Sequence, residues 1–267
     1  HLVRAVGEPE RRFEEDALRI LRLYRFAARF GFAIDPATGA AARALGPHLD
    51  CVSAERIQEE LLKLLAAPAP GRYLEPAVLA VILPELYPLE EPARFAESCR
   101  VIDSLAPGVE NVPARLAALL LPLGEEGTRK ALRRLKCSNA LTEETAVLVR
   151  ESGAGEPEAL VIYTRRLLGK YDLKTVQRLA ALGTALQPER AADFAALSEL
   201  AERLDADGVC CRVSQLAVNG RDLMAAGVPA GPGIRKVLEA LLDGVIREEY
   251  PNERQALLAA VQQLAAS

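Results

Sequence analysis

The chain is expected to be all-α, folded into several helical lobes, and three observations predict this. Half of its 267 residues are hydrophobic, and Ala and Leu, both strong helix formers, carry most of that share. Aromatics make up only 4% and Trp is absent, which argues against a large β-sandwich. Helix start and stop signals recur along the chain, and no strand-rich stretch interrupts them.

The first helix is expected from Pro9 to Phe30. Acidic residues crowd its beginning (Glu10, Glu14, Glu15, Asp16) and Gly31 closes it, the order that the helix dipole favours. Asp35-Pro36-Ala37-Thr38 opens a second helix that ends near Gly46-Pro47. Ser53 is placed to cap a third, Ala54 to Ala67, with Ile57, Leu61, Leu62, Leu64 and Leu65 at helical spacing. Pro68, Pro70 and Gly71 then mark a boundary. Residues 72–150 read as short helices broken by Pro84, Pro88, Pro92, Pro107, Pro113 and Pro122. A second boundary falls at Gly153 to Pro157. Helices around 157–169, 172–186 and 188–204 follow, then a turn at Asp205-Ala206-Asp207-Gly208. The last unit runs from Val213 to Leu264.

Composition bounds the function. There are 33 basic and 37 acidic residues, a net charge of −4, so a generally basic nucleic-acid coat is excluded while local basic patches are not. No apolar run approaches the roughly 20 residues of a membrane span. Cys51, Cys99, Cys137, Cys210 and Cys211 are odd in number and lack C-x-x-C spacing. They read as reduced apolar fillers, which fits a cytoplasmic protein. With only His1 and His48, neither given a role, a structural zinc site is not expected.

The sharpest signal lies in the first helix. At 100° per residue from Asp16, Arg19 falls at about 300°, while Ile20, Leu23, Phe26, Ala27 and Phe30 fall between about 280° and 40°. An acid and a base thus share a face with five apolar residues, where desolvation is costly unless they pair or bind something. One reading is an i,i+3 bridge on a surface helix. The other is base recognition. A carboxylate only accepts hydrogen bonds and a guanidinium only donates them. Side by side they match an amino group beside a bare ring nitrogen, the pattern shared by cytosine and adenine. Guanine and uracil present the reverse and would leave buried polar groups unpaired.

Arg4-Ala5-Val6-Gly7, Arg12-Phe13, Glu15-Asp16-x-x-Arg19-x-x-Arg22, Arg25-Phe26-Ala27-Ala28 and Gly31-Phe32 together resemble the neck of class II nucleotidyltransferases. These are the CCA-adding tRNA nucleotidyltransferases and the related bacterial poly(A) polymerases. The resemblance implies that Asp16 and Arg19 template CTP and ATP, that Glu15 orients the pair, and that Arg22 supports the pocket. Ser53-Ala54-Glu55-Arg56-Ile57 with Glu60-Leu61 and Leu64-Leu65 is similar to the segment closing that neck. Glu55 and Arg56 also read as a pair holding two helices together.

Toward the other end, Leu216 to Leu223 carries an Asn219-Gly220 turn, and Gly231-Pro232-Gly233 leads into a helix with Arg235 and Lys236. A phosphate-binding helix start and an ordinary turn are both open readings. The order of these pieces resembles the tail that grips the tRNA elbow in bacterial CCA-adding enzymes, which brings Arg221, Arg235 and Lys236 in as RNA contacts. Thr128 to Lys136 holds five cations, with Leu132 and Leu135 expected inward. Arg129, Lys130, Arg133 and Arg134 are either a solvated face or a track for the acceptor stem. Arg165, Arg166, Lys170 and Lys174 form a weaker candidate.

The resemblance implies three segments: a neck at 1–67, a body at 68–155 and a tail at 156–267. In such a family the metal-held carboxylates and Mg²⁺ sit in a preceding head, after a Gly-Ser loop that this chain lacks. Asp205-Ala206-Asp207 has no phosphate-cradling loop upstream and reads as structure. The chain opens at His1 and reads as mid-sequence, so it is expected to bind CTP, ATP and tRNA but to leave catalysis to the head. A stand-alone helical RNA-binding module and a poly(A) polymerase of the same family are the alternatives. Oligomeric state is not legible.

Overall fold

The computed structural model describes residues 1–86, 92–152 and 159–265. The chain divides into two compact units, His1–Ala154 with Ala181–Ala191, and Gly155–Ala180 with Ala192–Ser267. All the longer elements are helical. In the first unit, β1 (Leu2–Val3) precedes α1 (Pro9–Glu15) and α2 (Leu18–Phe30). After β2 (Ala33–Ile34) come α3 (Pro36–Ala44), α4 (Ala54–Leu65), α5 (Pro76–Ile82), α6 (Pro92–Ser104), α7 (Val112–Leu120), α8 (Gly124–Arg134) and α9 (Asn139–Glu151). Later come α10 (Leu160–Lys170), α11 (Leu173–Leu186), α12 (Ala191–Ala206), α13 (Gly220–Ala225), α14 (Pro232–Ile246) and α15 (Arg254–Ala265). The two short strands pair in parallel, Leu2 with Ala33 and Val3 with Ile34. The Pro88 break and the boundary at Gly153 to Pro157 lie outside the described residues.

The continuous first helix is a correction: it breaks at Asp16, whose backbone is extended (φ −156°, ψ 101°). The cause is local. Asp16 Oδ1 accepts the Leu18 main-chain N–H at 3.2 Å, so a short aspartate competes with the helical ladder and starts α2 afresh. The break frees α1 to pack on α3 and bury Phe13. The other end of α2 is as expected. Gly31 sits in the left-handed region at φ 65°, and Phe32 N–H returns to Ala27 O. Asp35 caps α3 by accepting the Thr38 N–H at 3.0 Å. Ser53 occupies the cap position of α4 without a side-chain cap bond.

α2 packs on α4, joining Ile20, Leu21, Leu23, Tyr24 and Ala27 to Ile57, Leu61, Leu64 and Leu65. A buried ion pair ties the two helices, Arg25 Nε to Glu60 Oε2 at 2.6 Å. α7 is apolar all round apart from Arg115 and is buried along its whole length against α6 and α9. Arg115 is fully buried. It donates to the carbonyls of Leu65, Ala67 and Leu105, each at 2.5 Å, so it gathers the end of α4 and the end of α6. Burial pushes its pKa down from the usual arginine value.

In the second unit a separate core joins Cys210, Val218, Leu223, Leu241, Val245 and Leu257. Arg212 holds its entry by donating to the carbonyls of Leu168 and Tyr171. The expected turn at Asp205 to Gly208 begins later than the sequence suggested. Asp205 and Ala206 are the last residues of α12, and Gly208 at φ 63° makes the turn.

Candidate functional site

The break between α1 and α2 organises a cavity in the first unit. It has about 350 Å³ and is lined by Val3, Arg4, Ala5, Val6, Arg12, Phe13, Arg19, Arg22, Leu23, Phe26 and Thr38. Four arginines and no carboxylate face it, and Phe13, Leu23 and Phe26 form an apolar floor. Such a space suits a flat, apolar-faced ligand that carries negative charge.

Of the four neck residues named from sequence, Arg19 and Arg22 line this cavity, while Asp16 and Glu15 are not among its lining residues. Glu15 is the anchor of the arginines. Its Oε2 accepts from Arg19 Nη1 at 2.8 Å and from Arg12 Nη1 at 3.1 Å. Those two hydrogen bonds, Arg19 first, hold the Glu15 carboxyl below its ordinary pKa. Arg19 Nη1 also donates to Arg12 O at 3.0 Å, and Arg12 Nε to Val6 O at 3.0 Å. Arg19 is therefore posed by its neighbours, and its Nε and Nη2 make no hydrogen bond to a described residue. Arg22 reaches Glu60 Oε1 only at 4.0 Å and is about half exposed.

The i,i+3 bridge between Asp16 and Arg19 does not form. Asp16 pairs with Arg56 of α4, Nη2 to Oδ2 at 3.0 Å, across 40 positions of sequence. The main chain still joins the two, since Arg19 N–H donates to Asp16 O at 3.0 Å. A carboxylate offers about four acceptor sites. Leu18 N–H and Arg56 take both sites of Oδ1 and one of Oδ2. One acceptor site on Oδ2 remains for an incoming donor. Arg56 thus holds two helices together, as half of the expected Glu55–Arg56 pair would, but with Asp16 as its partner.

Sequence reasoning gave no site role to Arg4, Arg12, Phe13, Phe26 or Thr38. The signal available was the recurrence of Arg beside Phe in the first 30 residues. The cationic segment of α8 is half committed within the protein. Arg129 is bound by Glu125 at 2.7 Å and Glu143 at 2.9 Å, and Arg134 by Glu85 at 2.7 Å. Arg133 meets Glu143 only at 3.4 Å, and Lys130 is exposed, while Leu132 and Leu135 are buried as expected. In the second unit Asn219 and Asp222 form a reciprocal cap that leaves Arg221 exposed. Gly231 (φ 143°) precedes α14, Arg235 pairs with Glu239 at 2.8 Å, and Lys236 is exposed. Pro232 takes one N–H away from that helix start. Of the weaker candidates, Arg165 binds Glu248 at 3.0 Å and Arg166 binds Asp243 at 2.8 Å.

All five cysteines are free, with Cys51 exposed. Among the described residues no group of three or more His, Cys, Asp or Glu could hold a metal ion. No helix among them is long and apolar enough to cross a membrane.

Comparison with known proteins gives this arrangement a family. The model described as tRNA nucleotidyltransferase domain 2 (putative) matches residues 109–261. One described as a probable RNA and SrmB-binding site of polymerase A matches residues 31–89. The chain belongs to the tRNA nucleotidyltransferase family. The CCA-adding enzyme of Geobacillus stearothermophilus is 32% identical over 263 residues, covering 97% of this chain and 62% of the relative. That of Limosilactobacillus fermentum is 32% identical over 272 residues, covering 99% and 64%. The crystal structure of the Bacillus stearothermophilus CCA-adding enzyme in complex with CTP matches with a TM-score of 0.78 at 28% identity, over 99% of this chain and 66% of that one. The Thermotoga maritima CCA-adding enzyme complexed with tRNA shares the fold, at a TM-score of 0.65 and 18% identity, over 99% and 64%. The chain spans less than two thirds of the length of the curated relatives it matches.

Proposed function

We propose that this chain is the nucleotide-selecting and tRNA-holding part of a CCA-adding tRNA nucleotidyltransferase, which extends a tRNA 3′ end with C and A from CTP and ATP. The observation that carries the reading is the arginine-lined cavity at the α1–α2 break, with Asp16 anchored next to Arg19. The apolar floor receives the base, and the arginines neutralise a triphosphate. The spare acceptor of Asp16 meets the exocyclic amino group of cytosine or adenine, and Arg19 donates to the adjacent ring nitrogen. Arg56 keeps the carboxylate in place. Glu15 and the Arg12 carbonyl fix Arg19, which reduces the entropy lost when a base is bound.

The first 67 residues act as the neck, 68–155 as the body and 156–267 as the tail. Lys130 and Arg133 offer charge to the acceptor stem, and Arg221 and Lys236 to the elbow. Arg129, Arg134 and Arg235 are held by carboxylates and contribute less. On this reading Mg²⁺ and the phosphoryl-transfer step are supplied by a head segment of the whole enzyme, as the resemblance implies.

In the whole protein, Asp16→Ala and Arg19→Ala should erode the preference for C and A over G and U in 3′-end extension of tRNA. Unchanged selectivity in both variants overturns the templating role. The polymerase A description of the match to residues 31–89 keeps a poly(A) polymerase as the second reading. Filter binding at two salt concentrations separates them: tRNA preferred over unstructured RNA supports the tRNA enzyme, and the reverse supports the polymerase.

A further inference from the structure

Beyond the cavity, the end of α2 and the residues that flank it carry a ladder of rings and guanidinium groups, of which Phe30, Phe32, His1, Arg25 and Arg29 are not among the residues lining the cavity. Phe26 walls the cavity. One turn further on, Phe30 lies with its centroid 6.1 Å from that of Phe26 and its plane within 2°. Phe32 follows at 5.6 Å from Phe30, tilted by 40°, and the His1 ring lies 5.0 Å from Phe32. Phe30 is 54% exposed. Arginines flank the rings. Arg25 Cζ stands 4.1 Å from the Phe26 centroid and Arg22 Cζ 5.8 Å from it, while Arg29 Cζ is 5.7 Å from that of Phe30. Arg29 forms no ion pair with a described residue, and Glu60, the ion-pair partner of Arg22 and Arg25, is buried.

An exposed phenyl ring alone is ordinary. Two parallel rings, Phe26 and Phe30, each with a cation beside it, are not what an apolar protein interface asks for, because docking there would desolvate guanidinium groups. A single-stranded nucleic acid satisfies both halves. Its bases stack on rings and its phosphates meet the arginines, without sequence readout. The ladder also starts at the wall of the cavity, so a strand lying on it leads to the bound nucleotide. Phe26 and Phe30 are too close to admit a base between them, since that needs about twice the 3.4 Å rise of stacked bases. Phe30 is the ring with surface left to receive one.

We propose that Phe30, backed by Phe26 and Phe32 and flanked by Arg29, is the stacking platform for the unpaired 3′-terminal bases of the RNA being extended. This deepens the proposed function and rests on it. Phe30 is then a positioning residue for the acceptor strand, separate from Asp16 and Arg19, which read the incoming base.

The test uses the whole protein and two RNA hairpins with the same stem, one blunt and one with an unpaired 3′ extension carrying 2-aminopurine. Stacking on Phe30 quenches the probe. Phe30→Ala should weaken binding of the extended hairpin roughly five- to hundredfold, the range for one stacked base, and abolish the quench. The blunt hairpin should bind Phe30→Ala as it binds the wild type, and Phe30→Tyr should restore both signals. Equal weakening of both hairpins, or an unchanged quench, overturns the platform. So does a variant that loses thermal stability with RNA binding intact, which would mean that protein covers this face. If the wild-type protein binds neither hairpin, the RNA-binding function itself falls with the platform.

Discussion

Arg25→Met tests the joint on which the site is built. The substitution keeps the length of the stem and removes the guanidinium, including its place over the Phe26 ring. Glu60, with its side chain 6% exposed, is left without the partner at 2.6 Å, and the nearest remaining cation is Arg22 at 4.0 Å. Breaking one side of a buried pair typically costs about 3–5 kcal/mol. Arg22 stands close enough to recover part of that, so a loss of about 3 kcal/mol is expected. For a unit of this size that corresponds to a fall in Tm of roughly 6–12 °C. Urea unfolding followed by circular dichroism measures it, with Arg25→Met/Glu60→Leu completing a double-mutant cycle. The double variant should come back to within about 1 kcal/mol of the wild type, because a carboxylate no longer has to be buried alone. A single variant that loses less than about 1 kcal/mol, or a cycle with no coupling, would refute the claim that this pair clamps α2 to α4.

Arg115→Met should cost about 3 kcal/mol in the same assay. Three buried carbonyls lose their donor, and the relief of no longer burying a charge offsets part of that. A neutral result would mean that the carbonyls find other donors. The pair between Glu85 and Arg134 predicts a pH effect. Arg134 holds the Glu85 carboxyl below its ordinary value of 4.5. The folded-state pKa is depressed, so the stabilisation is complete above the unfolded value and is lost as pH falls through the lower folded one. Glu85→Gln should therefore flatten the acid limb of the stability–pH curve and leave its slope at neutral pH unchanged. An identical acid limb in wild type and variant would contradict the pair.

The helices were legible because their ends carry short-range chemistry. Asp35 caps from its own turn, Gly31 supplies the left-handed residue, and the apolar positions of α4 keep their period. The break at Asp16 was hidden by the helical wheel, which assumes the continuity it is used to test. A wheel cannot show an aspartate taking the N–H two residues ahead. The partners of the charged residues were hidden for another reason. Arg56 is 40 positions from Asp16, Glu60 is 35 from Arg25, and Glu143 is 14 from Arg129, so each pairing exists only once helices have packed. The same distance effect explains the basic run of α8, which looked like a track and is half absorbed by carboxylates from elsewhere in the fold. Arg19 stood out because helical spacing puts it on one face with Asp16 and apolar residues, whereas Arg22 came only from the resemblance to the nucleotidyltransferase neck.

The most direct measurement is a crystal structure of the whole protein with CTP in the cavity beside α2. The cytosine ring is expected against Phe13, Leu23 or Phe26, its amino group within about 2.7–3.2 Å of Asp16 Oδ2, and Arg19 donating to the ring nitrogen. A base held with neither side chain within that reach would contradict the templating role.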